Sequence, residues 1–174
     1  MSDDKRIAFV TGASRGIGKA IALRLAADGR HVVLASRSEG PLSEVKAQIE
    51  QAGGSASVCA VDVSDRDALA NAVTTTAKDH GRFDILVNNA GITRDNLLMR
   101  MSLEEWDAVI ATNLTSAFVA MKAAARPMMK GKFGRIVNIA STSGLVGNAG
   151  QANYAAAKAG LVGMTRSKRD ISVL

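Results

Sequence analysis

The sequence predicts an α/β fold, a Rossmann-like, doubly wound parallel sheet in three αβα layers. Three observations lead there. Short runs rich in β-branched residues alternate with longer stretches of helical period. A glycine-rich turn stands between the first such run and the first helix. No repeat or linker divides the 174 residues, a length suited to one compact unit.

Ile7–Thr11 reads as the first strand. After the turn, Ile17, Ile21 and Leu25 put an apolar stripe on a helix that Gly29 ends as a left-handed cap. His31–Ser36 is the second strand. Pro41 suits the first turn of the next helix, where Leu42, Val45, Ile49 and Ala52 recur every three or four residues until Gly53-Gly54 stops it. Residues 56–61 form the third strand. Ser64, with Asp67 three residues on, has the form of a capping box for a helix carrying Leu69 and Val73 and ended by Gly81. Residues 84–88 form strand four. Ser102 with Glu105 repeats the cap before a helix through Trp106, Val109 and Ile110, and a longer helix follows through Phe118, Met121, Ala125 and Met128. The fifth strand spans 135–140, and a last helix begins near Tyr154 and runs past Thr165.

Composition narrows the function. With 47% hydrophobic and 22% charged residues the chain is globular rather than disordered. Cys59 is the only cysteine, and with just His31 and His80 beside it no metal-ligand cluster is available, so no metal is expected. Met1-Ser2-Asp3-Asp4-Lys5-Arg6 lacks a signal-peptide pattern, and no apolar run approaches the ~18 residues of a spanning helix, so the expectation is a cytoplasmic protein with no membrane partner. Charge is uneven: residues 1–107 carry 13 basic and 15 acidic side chains, residues 108–169 carry 9 basic and none acidic. Such a one-sign field attracts anions without choosing among nucleic acid, a phosphorylated cofactor and an acidic protein. Aromatic residues, at 3%, are too few for stacking on bases, which sets nucleic acid aside.

Thr11-Gly12-Ala13-Ser14-Arg15-Gly16-Ile17-Gly18 has the order strand, turn, helix that a dinucleotide-binding turn needs. Gly12 permits the tight turn, Gly16 lets the backbone approach a pyrophosphate, and Gly18 allows close packing of helix on strand, while free N–H groups at the helix start face the anion. The end of strand two sets the nucleotide. A carboxylate there would take the ribose hydroxyls of NAD, but the residues are Ala35-Ser36-Arg37, and Arg37 and Arg15 suit a 2′-phosphate, so NADP(H) is expected. Asp62, after strand three, can accept from the adenine amino group or cap its own turn. Asn88-Asn89-Ala90-Gly91 ends strand four with small residues where the dinucleotide would cross, although a plain turn also explains it.

Tyr154 and Lys158 lie four apart, hence on one helical face. A phenol near pKa 10 holds its proton tightly, and an adjacent ammonium stabilises the phenolate. Ser141 can donate to a substrate carbonyl or simply close a turn. Asn113, in a helical stretch where asparagine has poor propensity, can bind a water linking Lys158 to solvent or kink the helix.

In this order the glycine turn, the Asn-Asn-Ala-Gly run, Ser141 and Tyr-x-x-x-Lys resemble the short-chain dehydrogenase/reductase family, over residues 5 to about 167. Gly91-Ile92-Thr93-Arg94-Asp95-Asn96-Leu97-Leu98 and the run from Gly147 to Lys158 are most similar to 3-oxoacyl-[acyl-carrier-protein] reductases of fatty-acid synthesis. The resemblance implies reduction of a 3-oxoacyl thioester by NADPH, with Tyr154 as general acid, Lys158 on the nicotinamide ribose, Ser141 orienting the carbonyl and Asn113 completing a proton relay. It implies an NADP(H) site of Gly12, Ser14, Arg15, Gly16, Ile17, Gly18, Ser36, Arg37, Asp62, Val63, Asn89, Ala90 and Gly91, together with Tyr154 and Lys158. It implies an acyl carrier protein or acyl thioester partner, steered by Lys130, Lys132 and Arg126 or Arg166, and a homotetramer held by apolar helices such as 117–125. The same chemistry on acetoacetyl-CoA, a sugar or a steroid, and a non-catalytic dinucleotide-binding fragment, stay open beside it. The family continues through further strands and a substrate lid that have no counterpart here, and Lys168-Arg169-Asp170-Ile171-Ser172-Val173 looks like the approach to a sixth strand. Residues 1–174 are therefore read as a single dinucleotide-binding reductase domain incomplete at its C-terminus. The ordered part of a longer chain is favoured over a true fragment, because a truncation would expose apolar sheet.

Overall fold

The computed structural model describes residues 5–167. Five parallel strands, β1 (Ile7–Thr11), β2 (His31–Ser36), β3 (Ser55–Ala60), β4 (Ile85–Asn88) and β5 (Arg135–Asn138), form one sheet in the order β3-β2-β1-β4-β5. Seven helices accompany it: α1 (Gly16–Ala27), α2 (Glu39–Gln51), α3 (Arg66–Asp79), α4 (Leu103–Ile110), α5 (Ser116–Lys130), α6 (Ser143–Val146) and α7 (Ala152–Ser167). A 3-10 turn lies at Leu98–Arg100, and a π-helical segment, Ala111–Thr115, joins α4 to α5. The expected α/β fold and its five strands are present. The segment 168–173, read as the approach to a sixth strand, lies outside the described residues, as does Met1 to Asp4.

The alternation of side chains along β1 creates the layers. Successive residues of a strand point to opposite faces. Ile7 and Phe9 pack with Leu69 and Val73 of α3 and with Ala120, Met121, Ala124 and Met128 of α5. Ala8 and Val10 face the other way, onto Ala22 and Ala26 of α1 and Leu42, Val45 and Ile49 of α2. Covered on both sides, β1 is buried along its whole length, as a central parallel strand requires. β5 is different: its residues alternate between exposed and half-buried, and Val137 is 46% exposed.

Several local expectations need correction. The stripe Ile17, Ile21, Leu25 is not the buried face of α1, which is Gly18, Ala22 and Ala26, and Ile17 is 63% exposed. α1 lies so close to the turn that only small residues fit beneath it. In α2, Leu42, Val45 and Ile49 are buried as expected, whereas Ala52 falls past the helix end and is exposed. The cap of α3 is Asp65, whose carboxylate accepts the Ala68 N–H at 3.0 Å, and not Ser64, whose hydroxyl donates to Asp62 at 2.7 Å. On α5 the buried face runs through Ala117, Ala120, Met121, Ala124 and Met128, which leaves Phe118 exposed and Ala125 only half-buried. The strand expected at 135–140 ends at Asn138, because the Ile139 carbonyl turns to accept from Lys158. Strand three starts one residue early, and strand four begins at Ile85 after Asp84, whose buried carboxylate accepts the Ile7 N–H at 2.8 Å and pairs with Arg82 through both oxygens.

Other signals match their outcome. Gly29 holds φ 80, its N–H reaches the Ala26 carbonyl and that of Arg30 reaches Leu25, the paired bonds of a Schellman end. Ser102 and Glu105 close a capping box, with bonds of 3.2 and 2.9 Å. Leu103–Lys130 is continuous over 28 residues and contains an 18-residue window of mean hydropathy 1.4, contrary to the reading that no apolar run approaches a membrane span. Its inward side chains pack on α3, β4 and α7.

Candidate active site

The strand order turns at β1: the chain moves outward to β2 and β3, then returns to β4 on the opposite flank. Ligands of open α/β sheets bind at such a switch point, beyond the C-terminal ends of the strands. The glycine turn after β1 and the Asn88-to-Gly91 segment after β4 meet there. Thr11 Oγ accepts the N–H groups of Asn89 and Ala90, each at 3.0 Å, and donates to the Val87 carbonyl. Asn89 Nδ2 donates back to the carbonyls of Thr11 and Gly12, at 3.0 and 3.3 Å. These bonds give Asn89 a scaffold role independent of any ligand.

The glycines differ in what they supply. A Cβ on Gly12 would stand 2.8 Å from Asn89 Nδ2, and one on Gly18 would overlap the Gly12 carbonyl oxygen and Asn89 Nδ2. At Gly16 nothing lies within 4 Å, but its φ of 55 is one that residues with a side chain rarely adopt. Arg15 places no side-chain cap on α1, so the first amides of that helix keep their hydrogen-bonding capacity for an anion. Ser14 is half-buried, and Arg15 and Ile17 are exposed beside it.

At the end of β2, Ser36 is half-buried and Arg37 exposed. Glu39 opens α2 rather than standing at the strand end, so β2 presents no carboxylate there. Asp62 accepts both the N–H and the hydroxyl of Ser64, at 2.9 and 2.7 Å; these bonds, with a smaller contribution from Arg37, hold its carboxyl below the usual range. The turn role left open for Asp62 is therefore present. Val63 beside it is buried.

Four further residues gather where β4 and β5 end against α7. Lys158 is 3% exposed and donates to the Ile139 carbonyl at 2.7 Å; burial pushes its ammonium below the ordinary lysine value. Its Nζ lies 5.6 Å from the centre of the Tyr154 ring, on the same face of α7. Asn113 sits in the π-helical segment and donates to the carbonyls of Ile92 and Val109, both at 2.9 Å. Its buried Oδ1 has no hydrogen-bond partner. A Cβ on Gly91 would overlap that Oδ1 and lie 3.8 Å from Lys158 Nζ, so Asn113, Gly91 and Lys158 converge on one spot. Ser141 Oγ accepts the Ser143 N–H at 3.2 Å, and α6 presses so tightly on α7 that a Cβ on Gly144 would be 2.9 Å from Lys158 Cβ.

Two features escaped the sequence reading. Asn153, fully buried next to Tyr154, makes three hydrogen bonds; its one sequence signal was a poor helix former in a first turn. The basic third of the chain, in turn, is not one surface. Lys122, Arg126 and Lys130 line a groove of about 930 Å³ between α3 and α5 with Lys78 and Phe118, whereas Lys132 and Arg166 do not.

Comparison with known proteins agrees with this geometry. The family model described as short chain dehydrogenase matches residues 6–171. The 3-oxoacyl-[acyl-carrier-protein] reductase of Synechocystis is 51% identical over 163 residues, covering 93% of this chain and 66% of that protein. The protein of the same description, FabG, from Vibrio cholerae is 50% identical over 167 residues, covering 96% and 67%. This chain thus spans about two thirds of the length of these curated relatives. Among solved structures, a metagenomic short-chain oxidoreductase in complex with NADP superposes with a TM-score of 0.92 at 43% identity, covering 97% of this chain and 77% of that one. A short-chain alcohol dehydrogenase from Sinorhizobium meliloti, described as putative, gives 0.91 at 41%, covering 95% and 66%.

Proposed function

Because the chain belongs to the short-chain dehydrogenase family, we propose that it reduces a 3-oxoacyl thioester, carried on acyl carrier protein, to the 3-hydroxyacyl form with NADPH. The observation that carries this reading is the convergence of Lys158, Tyr154 and Asn113 beside Gly91, at the switch point that the glycine turn also faces. The residues present fit a dinucleotide: two glycines lie where a Cβ would collide, and Asn113 Oδ1 is buried without a partner. Bound NADPH would supply the hydride.

The protein's own part is to bind, orient and move a proton. Gly12, Ser14, Arg15, Gly16, Ile17 and Gly18 would hold the pyrophosphate; Ser36 and Arg37, with Arg15, would take the 2′-phosphate; Asp62 and Val63 would flank the adenine; and Asn89, Ala90 and Gly91 would line the crossing. Ser141 Oγ donates to the substrate carbonyl. Tyr154 gives its phenolic proton to the same oxygen, a step worth about 10²–10⁴-fold. Lys158, held by the Ile139 carbonyl, places a buried positive charge beside the Tyr154 ring, and would contact the ribose of a bound cofactor. The unpartnered Asn113 Oδ1 accepts from the water through which Tyr154 and Lys158 are reprotonated. The relatives' names support the thioester, and the NADP-bound neighbour supports the choice of nucleotide. The groove rimmed by Arg126 and Lys130, with exposed Phe118 in its wall, suits an acidic carrier protein.

Loss of NADPH absorbance with an acetoacetyl thioester tests the reading. The chain should oxidise NADPH, and Tyr154→Phe should abolish the reaction while leaving NADPH binding intact. A chain that binds NADPH but turns over no thioester defeats the proposal, and activity retained by Tyr154→Phe defeats the mechanism.

A further inference from the structure

We propose that Asn153 is a positioning residue that ties the placement of Tyr154 to the loop running from Gly91 toward the 3-10 turn, an assignment that rests on the reductase reading above. Asn153 is 0% exposed and stands in the first turn of α7. The opening amides of a helix have no partner within it. Asn153 Oδ1 supplies one, accepting the N–H of Tyr154 at 2.7 Å. Its Nδ2 donates in the opposite direction, to the Arg94 carbonyl at 2.9 Å and the Glu105 carbonyl at 3.3 Å. One buried amide therefore joins the Tyr154 backbone, the loop and α4.

The link is part of an ordered seam. Arg94, Asp95 and Asn96 meet Asn153, Gln151 and Gly150 in antiparallel sequence, through bonds of 2.9, 3.0 and 2.9 Å. The far end of the loop is fixed to α4, since Asn96 Nδ2 donates to the Glu105 carboxylate at 3.1 Å. Of the three rungs, the Gln151–Asp95 bond is exposed and open to competition from water, and Gly150 acts through its backbone alone. Asn153 is the rung that is both buried and bonded to Tyr154. The loop begins beside Lys158 and Asn113 at Gly91 and is clamped to α4 at Asn96, so its placement is tied to the Tyr154 backbone through this side chain. A plain helix-stabilising role would require neither the Arg94 nor the Glu105 bond.

The chain contains a single tyrosine, so an absorbance titration of phenolate formation reads Tyr154 directly and without cofactor. In Asn153→Ala the midpoint should be displaced from that of the wild type. Turnover of an acetoacetyl thioester should fall about 10- to 100-fold, with a much smaller change in KM. Asn153→Asp preserves shape and the bond from Tyr154 but turns a carboxyl toward two carbonyls. Protonated, it donates to one of them, and ionised to neither, so its rate relative to the wild type should recover in part as pH falls and decline as pH rises. A folded Asn153→Ala with lowered melting temperature but wild-type titration and turnover overturns the proposal. Should that variant fail to fold, a pH-independent ratio for Asn153→Asp overturns it instead. If the wild type oxidises no NADPH, the reductase reading falls and the titration alone decides for Asn153, an unmoved midpoint refuting it.

Discussion

Gly18→Ala and Gly40→Ala make the same chemical change in two helices and should have opposite effects. A Cβ at Gly18 would overlap the Gly12 carbonyl oxygen and Asn89 Nδ2 and stand 2.8 Å from the Gly12 carbonyl carbon. Carbon atoms rest at about 3.5–4.0 Å, so α1 or the turn must retreat by roughly 1 Å. Overpacking of this kind costs about 1–3 kcal/mol. Breaking the bonds from Asn89 to the Thr11 and Gly12 carbonyls adds about 1 kcal/mol each. Alanine returns about 1 kcal/mol of helix propensity. The net loss expected is about 2–4 kcal/mol. Gly40 is exposed near the start of α2 with nothing within 4 Å, so alanine there should stabilise by about 0.5 kcal/mol. With a urea dependence of about 2 kcal/mol per molar, the unfolding midpoint should drop by about 1–2 M for Gly18→Ala and rise by about 0.25 M for Gly40→Ala. Isothermal titration should show NADPH affinity reduced at least 10-fold in the first variant alone. Equal midpoints for the two variants, or unaltered NADPH binding by Gly18→Ala, would refute the steric account of the turn.

Three other outcomes follow from the structure. Burial, then the charge of His80, lowers the proton affinity of His31, whose ring nitrogens bond Ser55 and Ser57 across the first residues of β2 and β3. The unfolded chain thus takes up the proton first, and stability is lost as pH falls below 6.5; the stability difference between the wild type and His31→Gln, followed by urea titration at pH 8 and pH 5.5, should shrink toward the acid side. Asp84→Ala strands the buried Ile7 N–H and removes the forked pair between Asp84 and Arg82, and should cost about 2–4 kcal/mol in the same experiment. Reversing charge at Arg126 and Lys130, which line one groove, should lower kcat/KM for a carrier-bound thioester about 5- to 10-fold at low salt and leave a small thioester unaffected; an equal effect on the two substrates would separate this basic surface from carrier binding.

The strands and the glycine turn were legible because each writes its physics locally: β-branched runs for a sheet covered on both faces, and glycine where a Cβ has no room. Helix faces were less so. Ile17 and Phe118 carry the strongest apolar signal on α1 and α5, yet both point outward, because these helices approach the sheet so closely that Ala22, Ala26, Ala120 and Ala124 fill the contact. Hydrophobic periodicity weights large side chains and so misplaces a face built of small ones. At the start of α3, Ser64 and Asp65 are both good caps by type, and the prior bond of Ser64 to Asp62 settles the choice, a relation between neighbours that a one-residue preference does not contain. Tyr154 and Lys158 were visible from their spacing read together with the glycine turn, the Asn-Asn-Ala-Gly run and Ser141. Asn153 was not, because its partners, Arg94 and Glu105, lie 59 and 48 residues away. α6 spans only four residues and offers no period to detect.

The π-helical segment between α4 and α5 sets a stability limit on the longest helix of the fold. An α-helix advances about 100° per residue, so one residue accommodated in a widened turn rotates everything beyond it by that amount. Val109 before the segment and Met121 after it can then both face inward while Asn113 stays turned toward Gly91 and Lys158. Removing a single residue from 111–115 would let an unbroken ladder of i to i+4 bonds form, a local gain for the backbone. It would also carry the Asn113 amide away from Lys158 and put α4 and α5 out of phase with the core. Selection for a more stable helix and selection for keeping Asn113 beside Lys158 thus pull on the same five residues in opposite directions, and length there, more than residue identity, is where tolerance to change should end.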